Sequence, residues 1–482
     1  MHAVVVGGGI AGLSAAYTLQ KLAREAGRVV RLSVFEASGR WGGKIQTDRT
    51  NGFVIEAGPD TFVSTKPWGV ALCRELGLED RLQGADMERR KVFVLTGGRL
   101  VELPEGLAMM VPSRVAPMIR TPLLSPLGKL RLALDWFLPP RREDGDESLG
   151  GFISRRLGRQ AYERLIEPLM SGIYAGDGDR LSLLSTFPYL REWERRHGSL
   201  ARGALRSAPS SRGPAHSRRQ RSIFLTPTGG LDEIVEALVT RLSGADLRLA
   251  AAVQHIDRAP GGYRLTAASG AMFEAEAVVI AAPAFAAAQM LSDLDPLLAE
   301  QLRQIEYVST ATVSLAFRES ELPRPLDGHG YVIPRVEGRR ALACTWTSTK
   351  FPHRAPAGHA LLRVFIGRAG QMDDPDLDEG SLIEIARQEL AETLQIQATP
   401  VLVRVARWPR SMPQYNLGHP ERLRAIAERL DSLPGLRLAG AAYGGIGIPD
   451  CIRSGEQAAV EVLTAGMSTA DLALPVAAQS GR

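Results

Sequence analysis

Residues 1–36, MHAVVVGGGIAGLSAAYTLQKLAREAGRVVRLSVFE, read as a strand, a glycine-rich turn, a helix and a second strand. Val4, Val5 and Val6 form a β-branched run suited to a buried parallel strand, and Gly7, Gly9 and Gly12 complete GxGxxG before an Ala/Leu-rich helix. Each glycine has its own task. The first admits the tight turn, the second lets backbone approach a pyrophosphate, and the third lets helix and strand pack closely while helix amides face the phosphates. Glu36 ends the second strand, where a carboxylate accepts the hydroxyls of an adenosine ribose and repels a 2′-phosphate, which disfavours NADP. Strand, turn, helix and terminal acid in this register predict a Rossmann-like dinucleotide site.

Directly after Glu36, Gly39-Arg40-Trp41-Gly42-Gly43-Lys44 supplies a second glycine pair and two cations. This run resembles the RxGG continuation of the amine-oxidase-like flavoproteins, in which the segment lies along the pyrophosphate and ribityl chain of FAD. The resemblance places that contact on Arg40, Gly42 and Gly43 and favours FAD over NAD.

At 482 residues the chain is too long for one ordinary core, which implies two or three domains. No charge-free apolar run reaches about eighteen residues, so no membrane span is expected. A strand starting at His2 leaves no room for a cleaved leader, and the expected location is cytoplasmic. Cys73, Cys344 and Cys451 are far apart and lack metal-ligand spacing; they read as reduced, buried thiols, with no metal. The formal charge of +5 comes from arginine, because there are only six lysines. A basic surface suits anionic substrates or anionic lipid, and without a basic helix or aromatic-interleaved patch no nucleic-acid partner is expected. Oligomeric state is not legible.

Taken in order, residues 44–47 and 52–55 read as a strand pair turning at Asn51-Gly52, followed by the irregular loop EAGPDTF (56–62) with Lys66 beyond it. Residues 103–222 change character, with proline breaks and apolar helices carrying arginine. They read as a helical insertion, either packed on itself or lying on a membrane, and residues 195–222 read as a mobile loop. Residues 247–256, 263–267 and 272–281 predict three strands, and 277–291 a buried strand followed by a helix. The stretch 294–407 is strand-rich and ends in a helix over 381–394. The fold class expected is α/β (α+β). A discontinuous FAD-binding domain is expected over 1–60, 223–292 and 408–466, a sheet-based substrate domain over 61–102 and 293–407, the insertion over 103–222, and a frayed tail over 467–482.

With PLMSGIYAGDGDRLSLLSTFP, FLTPTGGL, CTWTSTKFPHRAP and AAYGGIGIPDCIRSGEQAA added to the opening motifs, the chain resembles the oxygen-dependent protoporphyrinogen and coproporphyrinogen oxidases of haem biosynthesis, in their bacterial Gram-positive-type branch. The resemblance implies an FAD-dependent oxidase that takes six electrons from a porphyrinogen, with O2 as acceptor and H2O2 released. The flavin carries the chemistry, and no protein residue is singled out as catalytic. The backbone of Val253 is implied at the adenine, and Gly447, Ile448 and Asp450 at the flavin pyrimidine and ribityl chain. Many relatives have an acidic residue after the strand glycine where this chain has Ala441. Mitochondrial-type relatives have an arginine after the Gly-Pro of the loop. Here Asp60 stands there, which makes Lys66 the implied propionate partner, with Ile173 and Tyr174 lining the macrocycle pocket. Two other classes stay open: a different flavin oxidase or carotenoid desaturase, and a non-enzymatic FAD-binding interaction module.

Overall fold

The computed structural model describes residues 1–108, 111–112, 114–207, 222–371 and 373–465. Its organising layer is a five-stranded parallel sheet in the order Asp246–Arg248, Arg31–Phe35, His2–Val6, Ala277–Ile280, Leu436–Leu438. His2–Val6 is central, with Val5 opposite Val34 on one side and Val279 on the other. Its residues alternate between two cores, as a two-residue period requires. Ala3 and Val5 pack with the helices Ile10–Glu25, Asp232–Arg241 and Ile448–Ala465. Val4 and Val6 face an antiparallel meander, Val253–Ala259, Gly262–Ala267 and Met272–Ala275, and the helices Ala284–Met290, Pro296–Arg303 and His419–Asp431.

Two of the expected strands are each divided. Residues 247–256 split into Asp246–Arg248, in the parallel sheet, and the start of Val253–Ala259, in the meander. The break is at Ala250, whose φ is 51° and whose amide donates to Ser38 O. Residues 272–281 likewise divide at Glu276, whose amide donates to His2 O, into Met272–Ala275 and Ala277–Ile280.

The second large layer is a seven-stranded sheet in the order Leu402–Pro413, Tyr307–Arg318, His359–Ile366, Ala341–Trp346, Gly330–Val332, Val92–Thr96, Arg99–Glu102. The helix Glu379–Leu394 buries Leu382, Ala386 and Leu390 against it. The sheet's first strand runs through Pro413, past the junction expected at 407/408. Between the sheets, Thr47–Thr50 and Phe53–Glu56 form a hairpin that turns at Asn51 (φ 48°) and Gly52 (φ 79°), the positive-φ pair that two-residue hairpin turns need.

The insertion is helical apart from the antiparallel strand pair Leu107–Ala108 and Val111–Pro112, and its core is built around Phe152, Ile153, Leu165, Met170 and Leu190. The loop expected over 195–222 is helical as far as Ser207, in Pro188–His197 and Leu200–Ser207. Leu200 and Ala204 are wholly buried there, and Ser199 Oγ donates to buried Asp135, the partner of Arg156. Residues 208–221 and the expected tail lie outside the described residues. The three cysteines are free and buried, and among the described residues there is no metal-ligating cluster and no helix long and apolar enough to cross a membrane.

Candidate functional site

The three glycines of the first turn do different physical work. Gly7 follows the central strand with φ +113°, and an added Cβ would lie 2.7 Å from Ala281 O. At Gly12 an added Cβ would fall 1.9 Å from Gly7 O, so this position is fixed by the fold itself. Gly9 differs from both. It caps the helix Ile10–Glu25 at φ −75° and ψ 176°, extended backbone open to any residue. The nearest atom to its added Cβ is Gly43 Cα, at 3.9 Å. Nothing in the protein requires glycine at position 9, and the space beside it is a cradle at a helix N-terminus, suited to phosphate.

The second glycine loop closes that cradle. Gly42 N–H donates to Gly8 O at 2.8 Å, and Gly42 and Gly43 have φ of +100° and +58°. Arg40 turns onto the loop's own backbone, donating to Ile45 O at 2.9 Å, Trp41 O at 3.2 Å and Gly43 O. Its charge holds the loop's shape. Glu36 Oε2 accepts from Gly8 N at 2.6 Å and Oε1 from Ser38 N at 2.8 Å, which ties the acid to the turn. The approach to Val253 runs alongside: Ala251 N donates to Glu36 O.

The other wall of the site is the loop Gly440–Gly447 and the first turn of Ile448–Ala465, where Gly447 O accepts from Cys451 N. Asp450 fills the space beside Gly445 and Gly447. Lys66 Nζ reaches it from the N-cap of Pro67–Glu75 and donates to both carboxylate oxygens, at 2.7 and 2.6 Å. The lysine side chain is 44% exposed and the aspartate 10%. An ammonium has three N–H donors, so one remains to face the open side. The structure thus joins a residue expected at the cofactor to one expected at the substrate.

Ile173 and Tyr174 end the helix Glu167–Tyr174 and diverge. Ile173 is exposed, whereas Tyr174 is buried with its ring edge-on to Phe187 and Tyr415. Burial, then Asp450 nearby, pushes the Tyr174 hydroxyl well above the usual phenol range.

Sequence reasoning missed the side chains that hold the EAGPD loop. Asp60 points inward to Lys350, 3.3 Å away, and burial, which alone would raise its pKa, is overcome by Lys350, Arg363 and Arg354, so the carboxyl is held far below its usual range. Arg354 Nη1 lies 3.0 Å from Glu56, and its Nη2 donates to Asp60 O and Thr226 Oγ1. Arg363 donates to the Ala57 and Gly58 carbonyls, and Trp408 Nε1 to Ala57 O. Lys44 belongs in the sequence only to the glycine-pair motif. It is half-buried, donates to Ser411 O, and desolvation depresses its pKa. The available signal is three cations, Lys350 and Arg354 in CTWTSTKFPHRAP and Arg363 in the otherwise apolar ALLRVFIG.

The parallel sheet, the cradle and the last helix define a flavin-binding oxidoreductase. Residues 10–463 match the family model described as flavin containing amine oxidoreductase, and the chain belongs to that family. It is 39% identical over 464 residues to coproporphyrinogen III oxidase of Bacillus subtilis (strain 168), covering 96% of this chain and 98% of that one. It is 31% identical over 484 residues to protoporphyrinogen oxidase 1, chloroplastic, of Arabidopsis thaliana, covering 95% and 87%. Within the family, the chain belongs with the porphyrinogen oxidases. The crystal structure of a protein from Exiguobacterium sp. 255-15 described as a protoporphyrinogen oxidase superposes with a TM-score of 0.84 at 32% identity, over 96% of this chain and 98% of that one. Cyclohexylamine oxidase from Brevibacterium oxydans IH-35A, 17% identical with a TM-score of 0.68, covering 96% and 98%, shares the fold.

Proposed function

We propose that the chain is an FAD-dependent porphyrinogen oxidase of haem synthesis, acting on coproporphyrinogen III at least as well as on protoporphyrinogen IX, with O2 as acceptor. The observation that carries the cofactor half is the Gly9 cradle: space at a helix N-terminus, bounded by two glycine loops, with a carboxylate at the end of the second strand. These residues fit an adenine dinucleotide. Gly9, in the turn that Gly7 and Gly12 shape, would receive the pyrophosphate, Glu36 the adenosine ribose, the backbone of Val253 the adenine, and Gly42, Gly43, Gly447, Ile448 and Asp450 the ribityl and pyrimidine end. Arg40 would shape the pyrophosphate loop from within.

Bound FAD supplies two-electron acceptance from a meso carbon of the substrate and delivery to O2, so six electrons consume about three O2 and yield about three H2O2. The protein's share is placement and electrostatics. The N-terminus of Ile448–Ala465 directs positive potential at the loop Gly440–Gly447, where negative charge would collect. Lys66, held in place by Asp450, offers its remaining N–H to a substrate propionate, and a tetracarboxylate presents more such groups than a dicarboxylate. Ile173 presents an apolar side chain at the surface, where it would meet the macrocycle, while Tyr174 packs in the core against Phe187 and Tyr415.

A peripheral membrane contact at the cytoplasmic face belongs to the same reading. Ile119, Leu127, Leu130 and Phe137 are 62–83% exposed on the insertion, beside the exposed cations Arg114 and Arg120, a combination suited to an anionic lipid surface. The test of the whole reading is aerobic incubation of the yellow, purified protein with coproporphyrinogen III, protected from light. Porphyrin fluorescence should rise with O2 uptake and peroxide in the three-to-one ratio. A protein that binds FAD but consumes no O2 above autoxidation is not this oxidase, and oxidation of amines or polyenes instead would move it to another class.

A further inference from the structure

The strand Leu402–Pro413 ends in the run MPQYNLGH, in which Gln414 and Tyr415 are 3% and 1% exposed. These adjacent side chains grip two different walls of the site. Gln414 Nε2 donates to Tyr174 O at 2.9 Å, the last carbonyl of Glu167–Tyr174, just before Ala175 in the left-handed region at φ 49°. The Gln414 Oε1 also lies against Gly176, where an added Cβ would come within 2.5 Å of it. Tyr415 Oη, in turn, donates to Ala441 O at 2.6 Å and accepts from Gly445 N at 3.0 Å. Both of its bonds therefore close the loop Gly440–Gly447 on itself.

The phenol is well suited to that double duty. Burial pushes its pKa well above the usual range, so it keeps the proton that Ala441 O needs while its lone pair serves Gly445. Its ring is fixed by His419, stacked at 4.4 Å and 10°, and by Tyr174, edge-on at 6.0 Å. Gly445 has φ +135°, a conformation that leaves its amide without a helical or sheet partner, and Tyr415 supplies one.

We propose that Gln414 and Tyr415 are positioning residues that fasten the substrate-side turn after Tyr174 to the loop Gly440–Gly447, with Tyr415 setting the shape of that loop where it would meet the flavin. The inference rests on the reading that this loop holds the pyrimidine end of FAD. It assigns the two residues separable effects, because Gln414 acts on the substrate wall and Tyr415 on the flavin wall.

The test uses full-length Tyr415→Phe, which keeps the ring and removes only Oη, and Gln414→Leu. For Tyr415→Phe the expected result is about a tenfold rise in the FAD dissociation constant. The midpoint potential should move to more negative values, because a disordered loop supports the reduced flavin less; a tenfold loss there corresponds to about 30 mV for a two-electron couple. A residue of merely structural importance would lower thermal stability and leave the potential alone. Gln414→Leu should raise the KM for coproporphyrinogen III several-fold with the FAD dissociation constant and potential unchanged. Hydrogen exchange in flavin-free wild type gives a measurement that needs no variant: the peptide spanning Gly445 should exchange slowly. Wild-type FAD affinity and potential in Tyr415→Phe, wild-type KM in Gln414→Leu, or fast exchange at Gly445 would each overturn the proposal while leaving the oxidase reading intact. A wild-type protein that takes up no FAD would overturn both.

Discussion

Gly9→Ala separates a ligand constraint from a folding constraint within one motif. The backbone at Gly9 is extended, so alanine adds no φ/ψ strain, and its methyl would meet no protein atom closer than 3.9 Å. The flavin-free fold should therefore keep its stability to within about 0.5 kcal/mol. The cradle is another matter, because the methyl would stand where a pyrophosphate must approach the helix amides. Losing two charge-assisted hydrogen bonds, at roughly 1.5–3 kcal/mol each, removes about 3–6 kcal/mol of binding, or roughly 10²- to 10⁴-fold in FAD affinity. Gly12→Ala is the control. Its methyl would fall 1.9 Å from Gly7 O, a backbone atom that cannot swing aside, so it should destabilise the flavin-free protein by about 1–3 kcal/mol or more. The assay is thermal unfolding of flavin-stripped protein alongside titration with FAD, followed by quenching of flavin fluorescence. Wild-type FAD affinity in Gly9→Ala would refute the cradle. Equal loss of flavin-free stability in both variants would refute the division of labour.

Three more outcomes are open to measurement. Lys66→Ala should raise the KM for coproporphyrinogen III about tenfold and for protoporphyrinogen IX less if, as proposed, the spare N–H meets a propionate; equal effects on both would leave Lys66 as only the partner of Asp450. Glu456 has its pKa raised from 4.5 to about 7, by burial first and Glu75 next, with Lys21 opposing. A carboxyl that titrates higher when folded stabilises the protein at low pH, and this contribution is lost as pH rises from about 4.5 through 7. Glu456→Gln should accordingly be more stable than wild type by about 1–3 kcal/mol at pH 8, with little difference below pH 5, and parallel pH–stability curves would contradict it. Phe137→Asp should weaken sedimentation with anionic vesicles, and salt should release the wild type, because exposed charges are screened beyond about 8–10 Å at physiological ionic strength; unaltered sedimentation would exclude this face.

What the sequence made legible is what local backbone chemistry dictates. The GxGxxG turn, the Asn51-Gly52 hairpin and the β-branched central strand each announce themselves within a few residues, since the constraint and the residue that satisfies it are neighbours. Ala250 shows the opposite case. Its positive φ is held by Ser38 and the neighbouring Glu36, more than two hundred positions earlier, and alanine carries no turn signal. The Arg/Ser/Gly-rich stretch after Arg195 likewise looked too polar to order. Its helices form because Leu200 and Ala204 close over an insertion core, and because Ser199 meets an aspartate sixty-four positions upstream.

At the site, the same limit falls on charge. A sequence gives the sign of each side chain but not its partner, so Lys66 and Asp450 could be assigned separately to substrate and cofactor although they form one ion pair across 384 positions. Asp60, which stands where mitochondrial-type relatives have an arginine, is held among Lys350, Arg354 and Arg363, the cations that hold the loop. This pairing changes what a substitution means. Removing Lys66 deletes the cation proposed to meet the substrate and also frees an aspartate at the start of the last helix, beside Gly445 and Gly447. Asp450→Asn keeps the shape and the lysine's charge while weakening the anchor that positions it. A KM effect confined to Lys66→Ala therefore belongs to the propionate contact, whereas one shared by both variants belongs to the pair.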